Sequence, residues 1–401
     1  MSPSVLITCG EQRSALSIVR SLGRAGFRVR VCSSRAPSLA GASRFADEEH
    51  VVPDPVIRPE AFAVALTGLI EKLRPDLVIP VTEAALLASL SIETGRSGTK
   101  FPFPDLERFA AVCDKTRVFE AARAEGISVP REVVLNRRSD LAGAFVDISF
   151  PVVIKPARSV SGNSVERSKH VVLHATDSAA LSAAVDLLPD EAFPVHVQQR
   201  IVGPGIGVFL LRWEGRTLAE FAHRRIREKP PSGGVSVLCE SVEVDPDLLD
   251  ASLRLLARFE WEGVAMVEYK RDAATGRAYL MEINGRFWGS LELAVKSGVD
   301  FPRQLAAAAL GNAVEPIGRY RVGVRNRWVW GDVDHLIMRL RRSAAQLSLP
   351  HGAPGRVRVV IDFFLAFLWA RPEVFQISDP APAWRETRDW FAALGGSGRG
   401  P

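Results

Sequence analysis

The chain has 401 residues, 47% hydrophobic and 24% charged, with a formal net charge of +5 and a pI of about 9.2. This is the balance of a globular protein with about two to four structural units and a sizeable core. The surplus is small and no long Lys/Arg block exists, which excludes a dedicated nucleic-acid surface and suits anionic small molecules. Cys9, Cys32, Cys113 and Cys239 share no C-x-x-C or paired spacing, so a disulfide framework or zinc site is not expected and a reducing, cytoplasmic compartment is. The first residues lead straight into an apolar strand, without a charged n-region or cleavage site, so no signal peptide is expected.

Ser4–Thr8 is a short apolar strand, followed by a helix on which Ala15, Ile18, Val19 and Leu22 share one face, and by a strand over Arg28–Cys32. A helix over Pro59–Leu73 and a strand over Leu77–Val81 repeat the βαβ pattern, giving a doubly wound α/β domain over residues 1–104. The turn after the first strand holds only Gly10, not G-x-G-x-x-G, so it gives little support to dinucleotide binding. Glu83 follows a strand end, where it either touches substrate or serves as a helix N-terminal acid. The spacing predicts one helix over Asp105–Glu125, strands over Val129–Leu135 and Pro151–Pro156, and a Ser/Gly loop over Ala157–Ser164. Next come a strand over Val171–His174, a helix over Ser178–Leu187 and a strand over Val195–Gln199 entering a Gly-rich bend. Domain boundaries are placed at 1–104, 105–195, 196–318 and 319–401, the last a Trp- and Arg-rich helical extension. Its Val359–Ala370 run falls short of the roughly 20 residues that span a bilayer; it reads first as a buried helix, with a membrane-surface or subunit contact as the alternatives. The extension is expected either to cap the site or to mediate the contacts of a homodimer.

The chemistry concentrates in two apolar runs, Gly263–Tyr269 and Ala278–Asn284, joined by a polar turn. A hairpin would set Glu268 near Glu282, with Asn284 two residues on and on the same face. Two carboxylates and an amide oxygen are hard ligands suited to Mg²⁺ beside nucleotide phosphates, with Mn²⁺ as a substitute. Arg286 follows on that face and could hold a phosphoryl group. Lys155 ends a buried strand ahead of Ser161, Gly162 and Asn163, a point charge beside a loop rich in backbone N–H groups. Lys115 sits in Cys113-Asp114-Lys115, and Gln199, Arg200 and Ile201 form an extended exit whose backbone could read an adenine edge.

In order, these pieces resemble the ATP-grasp superfamily over roughly residues 1–315, and within it the carboxylate–amine ligase branch, similar to carbamoyl-phosphate synthetase ATP-binding domains and D-aspartate ligase. The resemblance implies a two-part ATP-grasp fold after the N-terminal α/β domain. It implies that Lys115 and Lys155 contact ATP phosphates, that the Ser159–Ser164 loop covers them, and that Gln199, Arg200 and Ile201 line the adenine pocket. Glu268, Glu282 and Asn284 would hold one or two Mg²⁺ ions, and Arg286 would stabilise the phosphoryl group in flight. The chain departs from the family pattern at Gln199, where the hinge usually carries an acid, and near Ile206, where a ribose-binding acid is expected. It departs again at Gly285, where Asn-Pro-Arg is common.

The basic segment Ala222–Gly234 lies between hinge and metal strands; Arg225 and Arg227 alternate onto one face of a strand and could bind a substrate carboxylate. The implied activity is an ATP-dependent ligase that joins a carboxylate to an amine through an acyl phosphate, releasing ADP and phosphate. The rivals are a carboxyphosphate-forming enzyme and a non-catalytic ATP-binding scaffold.

Overall fold

The computed structural model describes residues 2–92, 98–144, 148–158, 160–162, 167–169, 172–350 and 352–396. The N-terminal unit runs β1 (Ser4–Ile7), α1 (Arg13–Arg24), β2 (Arg28–Ser33), β3 (Glu48–Val51), α2 (Pro59–Leu73) and β4 (Leu77–Ile79), and α3 (Glu83–Ser89) follows. Its four strands are parallel in the order β3-β2-β1-β4. The order reverses at β1, as doubly wound α/β units require. The sequence reading did not contain β3, because its residues Glu48–Val51 are nearly all polar. α2 begins at the anticipated Pro59, whose fixed φ and missing N–H suit the first helical position.

The predicted single helix over Asp105–Glu125 is two helices, α4 (Leu106–Cys113) and α5 (Lys115–Ala124). Asp114 leaves helical geometry at φ −94°, ψ 108°, and its carboxylate accepts from the N–H groups of Thr116 and Arg117. An N-cap inside an apparently continuous apolar pattern restarts the helix and changes its direction.

The middle unit holds β5 (Glu132–Leu135), α6 (Leu141–Ala144), β6 (Val152–Pro156), β7 (Val160–Gly162), β8 (Arg167–Lys169), β9 (Leu173–Ala175), α7 (Ser178–Asp186) and β10 (Val195–Gln199). Its sheet runs β5-β10-β6-β9, all antiparallel. Val152 and Ile154 of β6, with Val195 and Val197 of β10, bury one face against Leu181 and Val185 of α7. Period-two alternation therefore turns Lys155 and Gln198 to the other face. The expected Ser/Gly loop contains β7, which pairs antiparallel with β8 just beyond it. Ser159, Asn163 and Ser164 lie outside the described residues, and only the backbones of Ser161 and Gly162 are described.

A seven-stranded sheet follows, built from β11 (Gly205–Trp213), β12 (Arg216–Lys229), β13 (Val235–Val242), β14 (Gly263–Arg271) and β15 (Ala278–Asn284), with α8 (Pro246–Arg258) between β13 and β14. α9 (Leu291–Ser297), α10 (Phe301–Ala309), β16 (Arg325–Arg327), α11 (Val329–Arg341), α12 (Arg356–Trp369), β17 (Arg371–Pro372) and α13 (Ala381–Gly396) complete the chain. The strand order is β15-β14-β11-β12-β13-β16-β17, so the mainly helical extension also contributes the last two strands at one side of the sheet. β14 is covered on both faces: Val264 and Met266 join the core under the N-terminal unit, while Ala265, Val267 and Tyr269 pack towards α4, α5 and α8. Glu268 shares the face of Val264 and Met266 by the strand's two-residue period. The extension docks on the N-terminal unit through buried Arg20, whose Nε lies 2.8 Å from Asp379 Oδ2, and through Arg13 Nη1, 2.5 Å from Glu373 Oε2.

Candidate active site

A cleft of about 360 Å³ opens between the middle sheet and the seven-stranded sheet. β14 and β15 pair antiparallel with Glu268 directly opposite Glu282, and Met266 opposite Asn284. This is the anticipated hairpin register, and both acids and the amide line the cleft. Two like charges directly across a ladder repel, so cations must hold them. Lys115 Nζ lies 3.2 Å from Glu282 Oε2. Asn284 Nδ2 donates to Glu282 Oε1 at 3.1 Å, and Arg286 Nη2 donates to Asn284 Oδ1 at 2.9 Å. Arg225 hydrogen-bonds Glu268 and donates through Nη1 to Glu228 Oε1 at 2.9 Å and to the Gly234 carbonyl at 3.0 Å.

The charges are unevenly shared. Burial would lift the Glu282 carboxyl, but Lys115 and Lys155, with the Asn284 amide, outweigh it and hold it down at about 2. Glu268 goes the other way: burial raises it, and Glu282 and Glu228 add to that against the opposing Arg225. Burial works against the charge of Lys115, yet Glu282 and Glu83 keep its affinity for a proton above the usual lysine value. Lys155, whose Nζ rests 3.9 Å from Met281 Sδ, is depressed by burial more than Glu282 supports it. Burial opposes the charge of Arg225 too, but Glu268 and Glu228 hold it firmly protonated. The cleft thus sets Lys115, Lys155, Arg225 and Arg286 around two cross-strand carboxylates, of which Glu268 shares its arginine with Glu228.

The donor set fits a hard divalent ion. Glu268, Glu282 and the Asn284 amide supply oxygens on one strand-paired surface, and the raised Glu268 marks negative charge that a cation would relieve. Among the described residues no group of three His, Cys, Asp or Glu side chains is placed to share an ion; the third donor here is an amide.

Gln199, Arg200 and Ile201 leave β10 along the cleft wall and lead into β11. Gln199 N–H donates to the Arg131 carbonyl at 2.8 Å, which closes this segment against the residue that precedes β5. Gly203 fits where no other residue does: a Cβ there would lie 1.9 Å from the Arg271 carbonyl oxygen. The Arg200 guanidinium does not point freely at a ligand, because it donates to the Ser348 carbonyl of the C-terminal extension.

Arg227 is a correction. It lies outside the cleft lining, with Nε 2.7 Å from Asp332 Oδ1 and Nη2 2.5 Å from Oδ2. Register shifts between Arg225 and Arg227, and again between Arg227 and Glu228, interrupt the β12–β13 ladder. A bulge breaks period-two alternation, so Arg225 and Glu228 face the cleft while Arg227 ties β12 to α11.

Residues 194–330 match the family model described as ATP-grasp in the biosynthetic pathway with Ter operon. The chain contains an ATP-grasp domain. The carbamoyl phosphate synthase large chain of Thermotoga petrophila is 22% identical over 368 residues, covering 86% of this chain and 31% of that protein, so the chain spans about a third of the relative's length. The D-alanine–D-alanine ligase of Ectopseudomonas mendocina is 28% identical over 231 residues, covering 52% of this chain and 68% of that protein. In fold, the structure of N5-carboxyaminoimidazole synthetase from Staphylococcus aureus complexed with ADP superposes with a TM-score of 0.64 at 12% identity, covering 81% of this chain and 82% of that one.

Several residues lining the cleft of this ATP-grasp domain were not found from sequence. Arg13 opens α1 beyond the C-terminal end of β1 and reaches the cleft from the N-terminal unit. His223 lies two residues before Arg225, with Nδ1 3.2 Å from Ser290 Oγ, and burial keeps it neutral. Glu228 was inside the basic segment that was read, yet it faces the cleft only because of the bulge. His223 carries a signal, a titratable residue directly after the apolar pair Phe221-Ala222; Glu228, among charged neighbours, and Arg13 have no local signal. Glu83 starts α3, where Thr82 supplies the N-cap, and its charge acts on Lys115 without the residue lining the cleft.

Proposed function

We propose that this protein is an ATP-dependent ligase that joins a carboxylate to an amine through an acyl phosphate. One observation carries the reading: a strand-paired Glu268–Glu282 couple facing Lys115 and Lys155 across a single cleft. Phosphoryl transfer needs positioning and charge neutralisation more than a nucleophilic side chain, and the cleft offers lysines, arginines and acids. Glu268, Glu282 and Asn284 would hold Mg²⁺, which when bound would supply the positive charge that offsets the nucleotide's phosphates. Lys115 and Lys155 would hold the phosphate oxygens. Gln199, Arg200 and Ile201 would border the nucleotide base through backbone groups. Arg225, clamped by Glu228 and Glu268, would orient the substrate carboxylate, and Arg286 would stabilise the transferring group.

A carboxylate oxygen attacks the γ-phosphorus, the bond to the ADP oxygen breaks, and ADP leaves. The amine nitrogen then attacks the acyl carbon; phosphate departs with the former carboxylate oxygen, and the amine loses a proton to water. Exclusion of water from the cleft protects the acyl phosphate between the two steps. The D-alanine–D-alanine ligase relative supports C–N bond formation of this kind. The test is ADP release across a panel of amino acids and small amines with MgATP. Release only with a matched acid and amine is expected, with one amide per ADP. Amide formed without ATP consumption would overturn the reading, and release dependent on bicarbonate alone would replace it with carboxyphosphate chemistry.

A further inference from the structure

α12 buries Val359, Phe363 and Ala366 against the rest of the protein. Its opposite face is apolar as well. Val357, Ile361, Phe364, Leu365 and Leu368 recur at i, i+4, i+7, i+8 and i+11, which makes one continuous stripe. All five are exposed, Val357 to 75%, Phe364 to 62% and Leu368 to 82%. The sequence expectation of a buried helix therefore holds for one face only. A water-facing helix surface ordinarily carries polar residues at such positions, and a contiguous apolar patch marks a contact surface.

The surroundings of the stripe are basic. Arg356 and Arg358 are exposed on the first turn of α12, and Arg341 and Arg342 are exposed at the end of α11. Arg356 Nη2 lies 3.5 Å from the Arg342 carbonyl, so these arginines gather at one end of the stripe. At the other end Arg371 is exposed and Arg325 stacks on Trp369 at 4.6 Å. The one acid on α12, Asp362, is paired with Arg358 at 2.8 Å. Residues 319–401 hold 13 arginines, no lysine and 7 acidic residues, so the chain's whole +5 surplus resides in this extension.

We infer that α12 seats in the surface of an anionic phospholipid bilayer, its stripe at the acyl-chain boundary and its arginines on the headgroups. An apolar face ringed by arginine matches that surface in both hydrophobicity and charge. At 14 residues, α12 is too short to cross, and no helix among the described residues is long and apolar enough to do so; it lies in the plane of the interface. Charge decides against a second copy as the occupant, since two-fold pairing of the stripe would set arginine ends against arginine ends. α11 links this surface to the cleft strand β12 through Arg227 and Asp332, so membrane docking would hold the cleft at a fixed distance from the lipid. The inference is independent of the reaction catalysed.

The test is co-sedimentation of the full chain with vesicles of phosphatidylcholine alone or mixed with phosphatidylglycerol. Binding to the anionic vesicles, weakening as salt rises, is expected. F364S/L368S should lose at least about tenfold in affinity, and R341Q/R356Q about fivefold per arginine. Unchanged thermal melts of these surface variants show that the fold survives. The proposal is overturned if the wild-type chain stays in the supernatant with anionic vesicles, or if F364S/L368S binds like wild type. It is equally overturned if sedimentation velocity in lipid-free buffer shows a dimer that F364S/L368S dissociates.

Discussion

Lys115 Nζ lies 3.2 Å from Glu282 Oε2, although Lys115 opens α5, where the helix dipole disfavours a cation. Only an acid from another element makes that placement stable, and Glu282 supplies it from β15. Replacing Glu282 by Gln leaves a buried ammonium at a helix N-terminus with its closest counter-charge gone. Because Glu282 is 31% exposed, water softens the penalty to about 1–2 kcal/mol, below that of a fully buried pair. ADP release should fall by at least about a hundredfold. MgATP should raise the melting temperature of the wild-type protein and not of E282Q; an equal rise in both would remove Glu282 from the metal assignment.

Arg225 and Arg227 are two residues apart yet should behave differently. Arg225→Ala strips the counter-charge from Glu268 and Glu228 inside the cleft, which should cost about 3–5 kcal/mol of stability and raise KM for the carboxylate substrate. Arg227→Ala breaks the Asp332 pair outside the cleft and should lower stability while leaving both KM values near wild type. Denaturant melts with steady-state kinetics on both variants separate the roles. An R227A protein with a strongly raised substrate KM would return Arg227 to the site.

Gly285 stands where the resemblance leads one to expect proline, and the structure gives a reason. A Cβ at 285 would lie 2.3 Å from the ring of Trp261, which is buried in the core between the large sheet and α8. Gly285→Ala must displace that ring or shift the end of β15. Overpacking of this kind should cost about 1–3 kcal/mol and, by moving Asn284, lower ADP release. The companion W261F should restore part of the loss; a fully stable G285A would show that the ring yields freely.

The legible parts of this protein were those with a local cause. Glu268, Glu282 and Asn284 were readable because a hairpin with period-two alternation leaves only one face for them, and the register is as expected. The α/β order of the N-terminal unit was readable from apolar periodicity, apart from polar β3. Arg227 was misread because a bulge is invisible in a run of alternating basic residues. The break between α4 and α5 was missed because Asp114 reads as an ordinary helix residue until its carboxylate is seen capping Thr116 and Arg117. Arg13 was out of reach because the side chains it touches, Trp328 and Glu373, are more than three hundred residues away in sequence.

Glu386 provides a pH-dependent readout of how α13 docks, away from the carboxylate pair in the cleft. Its Oε1 accepts from Trp328 Nε1 at 2.7 Å. Burial raises its carboxyl to about 7, against the opposing Trp328 bond and Arg13 and with Glu373 and Asp389 adding to the rise. The folded protein therefore keeps a proton on Glu386 that the unfolded chain releases near the ordinary glutamate value of about 4.3. Stability from this group is complete below that value, declines as pH rises towards about 7, and stays reduced above it. Glu386→Gln retains an acceptor for Trp328 and cannot ionise, so it should melt at about the wild-type temperature near pH 5 and a few degrees higher near pH 8. Melting curves of the two proteins across this range check the sign; a difference that grows as pH falls would reverse the assignment.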